Sequence, residues 1–158
     1  MSTNPIHPKG EIIHFKQHGK GSGVLQTIDI EGSQHEIRVE GHPAFGGKDS
    51  APSPLDYVLG AFASCQQVTS KIVSLGLNMK LGDFDIKLES DLDNSVLVWA
   101  ADGEANFSSV HMEISVETDA DSETFDKFTS EIERRCPLTR LFVLSGVKVT
   151  SNWTNRQL

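Results

Sequence analysis

The sequence is poor in basic residues and has no long apolar run, and each shortage excludes a class of function. Its 158 residues include 14 Lys and Arg against 22 Asp and Glu, a formal net charge of −8. Binding to nucleic acid or to an anionic membrane surface needs clustered basic side chains, so neither partner is expected. The longest apolar run covers residues 96–101, far short of the roughly 20 residues that span a bilayer. We therefore expect a soluble folded protein.

Cysteine is also scarce, with only Cys65 and Cys136 in the chain. Two cysteines are too few for a disulfide-rich scaffold or for a four-cysteine zinc site. His14 and His18 lie in a segment that reads as a strand, where roughly 13 Å would separate them, so no metal site is predicted. The N-terminus has neither the basic nor the apolar segment of a secretory signal, which favours a cytoplasmic protein. There, two thiols are either inert core residues or a redox couple.

The N-terminal part of the chain predicts a β-hairpin followed by a third strand. The hairpin strands are predicted over residues 10–16 and 23–31, with a glycine-rich turn over residues 18–23 between them. The third strand is predicted over residues 34–39, and the Gly- and Pro-rich segment after it is predicted to be a loop. Residues 1–9 read as a loose leader.

A long helix is predicted after this loop. Ser53 suits the N-cap, Pro54 the first helical position and Asp56 the third, where a carboxylate satisfies first-turn N–H groups, and Gly76 suits the end. Apolar side chains recur at helical spacing with no polar interruption, which predicts a helix at the centre of the fold. These side chains are Leu55, Val58, Leu59, Phe62, Cys65, Val68 and Ile72.

The second half of the chain alternates between strand and helix patterns. Strands are predicted over residues 84–88, 110–116 and 146–153, and helices over residues 121–136 and 137–144. Strands and helices thus occur in segregated groups rather than as regular βαβ units. This order predicts an α+β fold with antiparallel sheet, in a single domain that covers residues 1–158.

Each cysteine lies on one of the two longest predicted helices. Cys65 belongs to the apolar stripe of the first. Cys136 ends the second and precedes Pro137, so it can cap the next helix, whose N-terminal N–H groups stabilise a thiolate and lower the thiol pKa. If these helices pack together the thiols can meet, and a disulfide then needs Cα atoms within about 7 Å. Positive charge flanks Cys136 in the form of Arg134, Arg135 and Arg140.

Two segments that contain the cysteines form a recognisable combination. Residues 45–65 read FGGKDSAPSPLDYVLGAFASC, and residues 135–138 read RCPL. With the hairpin before them and the strands between them, they resemble the osmotically inducible protein C and organic hydroperoxide resistance (OsmC/Ohr) family over nearly the whole chain.

The resemblance implies both an assembly and a reaction. The assembly is an intertwined homodimer in which β-sheets wrap two central helices, with active sites at the subunit interface. The reaction is the reduction of organic hydroperoxides without a metal or organic cofactor. Cys65 would attack the peroxide as the peroxidatic cysteine and become a sulfenic acid, and Cys136 would resolve it to a disulfide that an external dithiol reduces.

Two positions depart from the family's catalytic pattern. Catalytic members have Glu directly after the helix-opening proline, where this chain has Leu55, and Asp56 follows about 100° further around the helix. The family's activating Arg comes from the glycine-rich hairpin, where this chain offers Lys20, a charge without the guanidinium fork. Arg38 lies further along and matches less well. Lys20 and Asp56 are therefore the candidate supporting charges.

Two other functions remain open from the sequence. A non-catalytic dimer could keep the pocket and bind a small apolar or thiol-containing ligand, and Leu55 in place of a carboxylate favours this. Alternatively, both cysteines are inert core residues. Thiol titration separates these possibilities, because a redox pair includes a thiolate that reacts well below pH ~8.

Overall fold

The computed structural model describes residues 10–158, which form two compact units. One unit ends at Asp56, and the other consists of Tyr57–Leu158. The leader predicted over residues 1–9 lies outside the described residues. That residues 1–158 form one domain stays a prediction.

The first unit contains a three-stranded antiparallel sheet in the order β1-β2-β3. Its strands are β1 (Gln17–Ser22), β2 (Leu25–Ile30) and β3 (Glu36–Glu40). The second and third strands confirm the sequence prediction. The Gly- and Pro-rich segment that follows is a loop with one short 3-10 turn, as expected for a stretch that cannot sustain regular pairing.

The first predicted strand is wrong, because the glycine-rich segment forms β1 itself and residues 10–16 contain no strand. The hairpin turns at Gly23, whose φ of +62° suits glycine. A side chain at position 21 would collide with the carbonyl oxygen of Leu25 on the neighbouring strand. Glycine there permits a close backbone approach within the sheet, whereas the sequence pattern predicted a glycine-rich turn over residues 18–23.

The second unit holds one sheet and most of the helical structure. Its strands are β4 (Leu81–Leu92), β5 (Phe107–Thr118) and β6 (Lys148–Gln157). The helices are α1 (Pro54–Leu77, which begins in the first unit), α2 (Ser95–Trp99), α3 (Ser122–Arg135) and α4 (Pro137–Leu144). Within residues 10–158, no helix is long and apolar enough to cross a membrane.

The α+β class is confirmed, but the prediction of purely antiparallel sheet is wrong for one strand pair. β4 and β5 pair antiparallel, whereas β5 and β6 pair parallel in the order β4-β5-β6. The chain leaves the end of β5, passes through α3 and α4, and returns to the start of β5 before it enters β6. Such a helical crossover is the connection that parallel strands require.

The start of α1 confirms the predicted capping box. The Ser53 hydroxyl accepts from the Asp56 N–H at 3.2 Å, and the Asp56 carboxylate accepts from the Ser53 N–H at 3.0 Å. These hydrogen bonds with Ser53 lower the pKa of Asp56. Asp56 thus has a structural role at the helix start.

The predicted apolar stripe of α1 is only partly buried within the single chain. Within the predicted apolar stripe, only Phe62 is fully buried, and Val68 and Ile72 are 58% and 53% exposed. The buried side chains are instead a mixed set, namely Phe62, Gln66, Thr69, Ser70, Val73 and Ser74. Small polar groups can lie on this side because the helix backbone satisfies them, as when the Ser70 hydroxyl donates to the Gln66 carbonyl oxygen at 2.7 Å.

The core of the second unit lies against the inward side of β5. Val110, Met112 and Ile114 alternate along this strand at 2% exposure or less. With Phe62 and Phe142, whose rings stack at 4.6 Å between centroids, they surround the buried Cys136. The packed core therefore contains one of the two thiols outright, and Cys65 lies against it.

Candidate active site

The two cysteines meet in the second unit although 71 residues separate them in sequence. Their Sγ atoms are 3.1 Å apart, and both are free thiols. A disulfide bond is about 2.05 Å long, so the sulfurs need to approach by only about 1 Å to form one. The contact between the helices that the sequence left open is therefore present.

The two thiols occupy different positions in their helices. Cys65 lies in the middle of α1, is partly exposed, and has its Sγ 3.9 Å from the Thr69 hydroxyl one turn later. Cys136 is fully buried at the junction of α3 and α4, where its N–H donates to the Ile132 carbonyl at 2.8 Å. Pro137 opens α4 directly after it, as predicted.

Two polar residues that the sequence analysis missed surround the Cys136 sulfur. The Gln66 amide nitrogen donates to Cys136 Sγ at 3.5 Å and to Thr139 Oγ1 at 2.9 Å. Gln66 is 2% exposed and Thr139 is 7% exposed, so both contacts are shielded from water. The helical spacing of Phe62, Gln66, Thr69 and Val73 could have indicated them, because it gives α1 a second stripe in which polar and apolar side chains are mixed.

The environment of Cys136 favours its thiolate. Burial alone raises the pKa of this thiol, but the hydroxyl and N–H of Thr139, the Cys65 thiol and the N–H of Leu138 outweigh burial and lower the pKa below its ordinary value. The sulfur accepts no capping hydrogen bond of standard geometry. Among the groups that lower the pKa of Cys136, Thr139 contributes most, through both its hydroxyl and its N–H.

The environment of Cys65 favours its neutral thiol. Burial raises the pKa of Cys65, and its hydrogen bond with Cys136 raises it further. The N–H of Leu138 and the hydroxyl of Thr69 lower the pKa of Cys65, but they do not outweigh these two effects. The pair therefore contains one thiol with a lowered pKa, Cys136, and one with a raised pKa, Cys65.

The other candidate residues belong to the first unit. Lys20 lies on β1 opposite Thr27, and Asp56 takes part in the capping box described above. Their roles as supporting charges stay predictions. Of the arginines near Cys136 in sequence, Arg134 forms two hydrogen bonds to the Glu131 carboxylate, at 3.0 and 2.8 Å.

A cleft of about 400 Å³ lies between α3, α4 and β6. Gln66 and Thr139 belong both to its wall and to the polar contacts of Cys136, so the cleft adjoins the thiol pair. The other lining residues are Met112, Ser130, Glu133, Arg134, Arg140, Val143, Val149, Thr150 and Ser151. Among the residues that the structure describes, no group of three or more His, Cys, Asp or Glu could hold a metal ion.

The sequence and the fold both have recognised relatives. A family model described as OsmC-like protein matches residues 47–152, a segment that includes both cysteines. The chain belongs to the OsmC-like family. This confirms the resemblance seen in the sequence. No curated protein sequence matches the chain.

Solved structures of OsmC-like proteins share the fold at low sequence identity. The OsmC-like protein from Mycoplasma pneumoniae is 14% identical with a TM-score of 0.75, covering 90% of this chain and 97% of that one. An organic hydroperoxide resistance protein OsmC from Legionella pneumophila is 13% identical with a TM-score of 0.67, covering 92% and 99%. The organic hydroperoxide resistance protein OhrB of Bacillus subtilis is 17% identical with a TM-score of 0.59, covering 90% and 98%. At such identities the likeness establishes the fold alone.

Proposed function

We propose that this OsmC-like protein is a thiol-dependent peroxidase that reduces organic hydroperoxides in defence against oxidative stress. The observation that carries the proposal is the 3.1 Å distance between Cys65 Sγ and Cys136 Sγ, in a fold shared with proteins named for organic hydroperoxide resistance. Two thiols brought together from distant parts of the chain, one of them partly exposed, suit a redox couple better than inert packing.

The partial exposure of Cys65 gives it the first role. Cys65 attacks the outer oxygen of a hydroperoxide, the O–O bond breaks, and an alcohol leaves while the sulfur becomes a sulfenic acid. Cys136 then attacks that sulfur, and water leaves as the disulfide forms. An external dithiol reduces the disulfide and restores both thiols. A reversible dithiol of this kind suits the reducing cytoplasm.

The proposed active form is a homodimer, as the family resemblance implies. Val68, Ile72 and Leu75 form an exposed apolar stripe on α1 at i, i+4 and i+7 spacing, and they are 58%, 53% and 70% exposed in the single chain. A second copy that packs against this stripe would remove it from water, at roughly 1.5–3 kcal/mol for each fully buried side chain. The stripe supports the twofold pairing of two α1 helices.

Intact mass measured after one equivalent of cumene hydroperoxide tests the peroxidase. We expect the wild type to lose two hydrogens, Cys136→Ser to gain one oxygen, and Cys65→Ser to remain unchanged. Reduction with dithiothreitol should then restore the wild-type mass. Two unreacted thiols in the wild type after prolonged exposure would refute the proposal.

The cleft beside the thiols favours a binding protein as the second candidate. Because Gln66 and Thr139 form part of its wall, a small ligand there would contact the surroundings of Cys136. In that case the hydroperoxide would leave both thiols intact, while small thiol-containing or apolar compounds would raise the melting temperature of the wild type.

A further inference from the structure

We propose that Gln66 is the positioning residue of the resolving step: its side-chain amide holds the Cys136 sulfur toward Cys65, so that Cys136 meets the sulfenic acid as soon as it forms. This inference rests on the peroxidase function proposed above, and it adds a residue that acts through Cys136.

The contacts of the Cys136 sulfur point in two directions. The Cys136 thiol donates its hydrogen to Cys65 Sγ at 3.1 Å, and Cys136 Sγ accepts an N–H of Gln66 at 3.5 Å. A thiol has one hydrogen to donate, and its sulfur is a weak acceptor, so both capacities are in use here. The amide contact therefore favours the orientation in which the S–H of Cys136 faces Cys65.

A second hydrogen bond fixes the direction of the Gln66 amide. The same nitrogen donates to Thr139 Oγ1 at 2.9 Å, and both residues are buried. Thr139 follows Cys136 by three residues and lies in the first turn of α4. One amide group thus connects the sulfur that it positions with the helix that begins directly after that sulfur. A buried amide that donates to both partners has little freedom to turn away.

The resolving thiol is held by the sequence neighbour of the residue that it attacks. Cys65 and Gln66 are consecutive on α1, so their side chains leave the helix about 100° apart. Cys65 lies on a partly exposed side, whereas Gln66 points into the protein toward the start of α4. Cys65 can therefore stay open to a substrate while Gln66 keeps Cys136 beside it.

The position of Cys136 matters because resolution competes with a second oxidation. A sulfenic acid at Cys65 can react with another hydroperoxide and become a sulfinic acid, which a dithiol does not reduce. The 3.1 Å between the sulfurs is already within the roughly 3–3.5 Å of a near-attack arrangement. Without the amide, the Cys136 side chain can turn to other staggered rotamers, and the sulfenic acid then waits longer for its partner.

The resolving step balances within the pair. The Cys136 sulfur attacks the Cys65 sulfur, the S–S bond forms, and the S–O bond of the sulfenic acid breaks. The hydroxyl group leaves with the proton of Cys136 as water. The Cys65 sulfur is reduced as the Cys136 sulfur is oxidised, so the step needs no other oxidant or reductant. Gln66 exchanges no proton and contributes by placement.

The first test measures how the Cys65 sulfenic acid is divided between disulfide and sulfinic acid. Gln66→Leu keeps a buried side chain without the amide, and Gln67→Leu is the matched control at the exposed neighbouring position. Intact mass after graded additions of cumene hydroperoxide counts both products. The concentration that converts half of the protein to sulfinic acid should fall about tenfold in Gln66→Leu, as for the loss of one hydrogen bond, and stay unchanged in Gln67→Leu. Equal division in the wild type and folded Gln66→Leu would overturn the inference.

The second test follows the same attack without a hydroperoxide. An aromatic disulfide reagent forms a mixed disulfide at Cys65 and releases one coloured thiolate, and the attack of Cys136 on Cys65 then releases a second. The second release should be about tenfold slower in Gln66→Leu, while the first changes by less than about twofold. Slowing of both releases by the same factor would indicate a general loss of packing and would also overturn the inference.

A pair of variants at Thr139 tests the inference even if Gln66→Leu does not fold. Thr139→Val removes the hydroxyl that anchors the Gln66 amide, so the second release should become several-fold slower. Thr139→Ser keeps the hydroxyl and should restore most of that rate. Equal rates in the two variants would contradict the role of the anchored amide. Failure of the peroxidase itself looks different, because the wild type would then resist the hydroperoxide and still release both thiolates from the aromatic reagent.

Discussion

The two sides of α1 differ in a way that reverses the usual arrangement of a helix in a soluble protein. The side that packs into the second unit carries Gln66, Thr69 and Ser70 beside Phe62. The side that remains exposed carries an apolar stripe that includes Ile72 and Leu75. The buried polar groups find partners within the same chain. The exposed apolar groups have no such partner among the described residues. The buried side of α1 therefore carries the proposed chemistry, and the exposed side carries the proposed dimer contact.

The largest effect is expected from truncation on the buried side. Phe62→Ala removes a fully buried ring that stacks on Phe142, so the free energy of unfolding should fall by about 3–5 kcal/mol. Val68→Ala on the exposed side should cost less than about 0.5 kcal/mol when the protein concentration lies below the dissociation constant of the proposed dimer. Urea unfolding measures both, and equal losses would contradict the distinction between the two sides.

The next largest effect concerns association. Ile72→Glu combined with Leu75→Glu places two charges on the stripe, which should weaken the dimer by about 2–5 kcal/mol and give a monomer in sedimentation. Lys127→Glu on α3 changes the net charge by the same amount at an exposed position and should leave the dimer intact. A wild type that sediments as a monomer at micromolar concentration would contradict the proposed homodimer.

A titration of the two thiols compares the environments that the helices create for them. Because the pKa of Cys136 is lowered and that of Cys65 is raised, ultraviolet thiolate absorbance should show two separate steps, one on each side of the ordinary cysteine pKa. Cys65→Ser leaves one buried thiol and should show a single step. Two coincident ionisations in the wild type would contradict the assignment.

The same shifts have opposite effects on stability. The lowered pKa of Cys136 stabilises the fold above its unfolded pKa, and this contribution is lost as the pH falls through the folded value. The raised pKa of Cys65 stabilises the fold below its unfolded pKa and is lost as the pH rises through the folded value. The contribution of Cys136 therefore changes with pH below the ordinary cysteine pKa, and that of Cys65 changes above it.

The smallest effect is expected at Ser70. Its buried hydroxyl donates to the Gln66 carbonyl of the same helix, so Ser70→Ala removes a local hydrogen bond and leaves no buried partner stranded, because that carbonyl keeps the helix N–H of its own turn. The free energy of unfolding should change by less than about 1 kcal/mol. A loss as large as that of Phe62→Ala would indicate that Ser70 contacts more than its own helix.

Some features could be predicted because they depend on neighbours in sequence. The capping box of Ser53 and Asp56 and the restart of the helix at Pro137 follow from local hydrogen bonding and from the geometry of proline. The glycine-rich segment forms strand β1, and this could not be predicted from the sequence. Glycine is needed at position 21 because the Leu25 carbonyl of the neighbouring strand approaches it closely, and that approach exists only in the folded sheet. The parallel pairing of β5 and β6 likewise depends on how a long crossover returns to the sheet.

The sequence by itself determined the two thiols, the helices that carry them and the family to which they belong. Only the tertiary structure decided that the sulfurs lie 3.1 Å apart, that Gln66 and Thr139 accompany Cys136, and that the apolar stripe of α1 faces outward. The physical reason is that helix periodicity gives the angle between side chains but not the direction in which a side packs. That direction depends on contacts between residues about 70 positions apart, and these exist only in the folded chain.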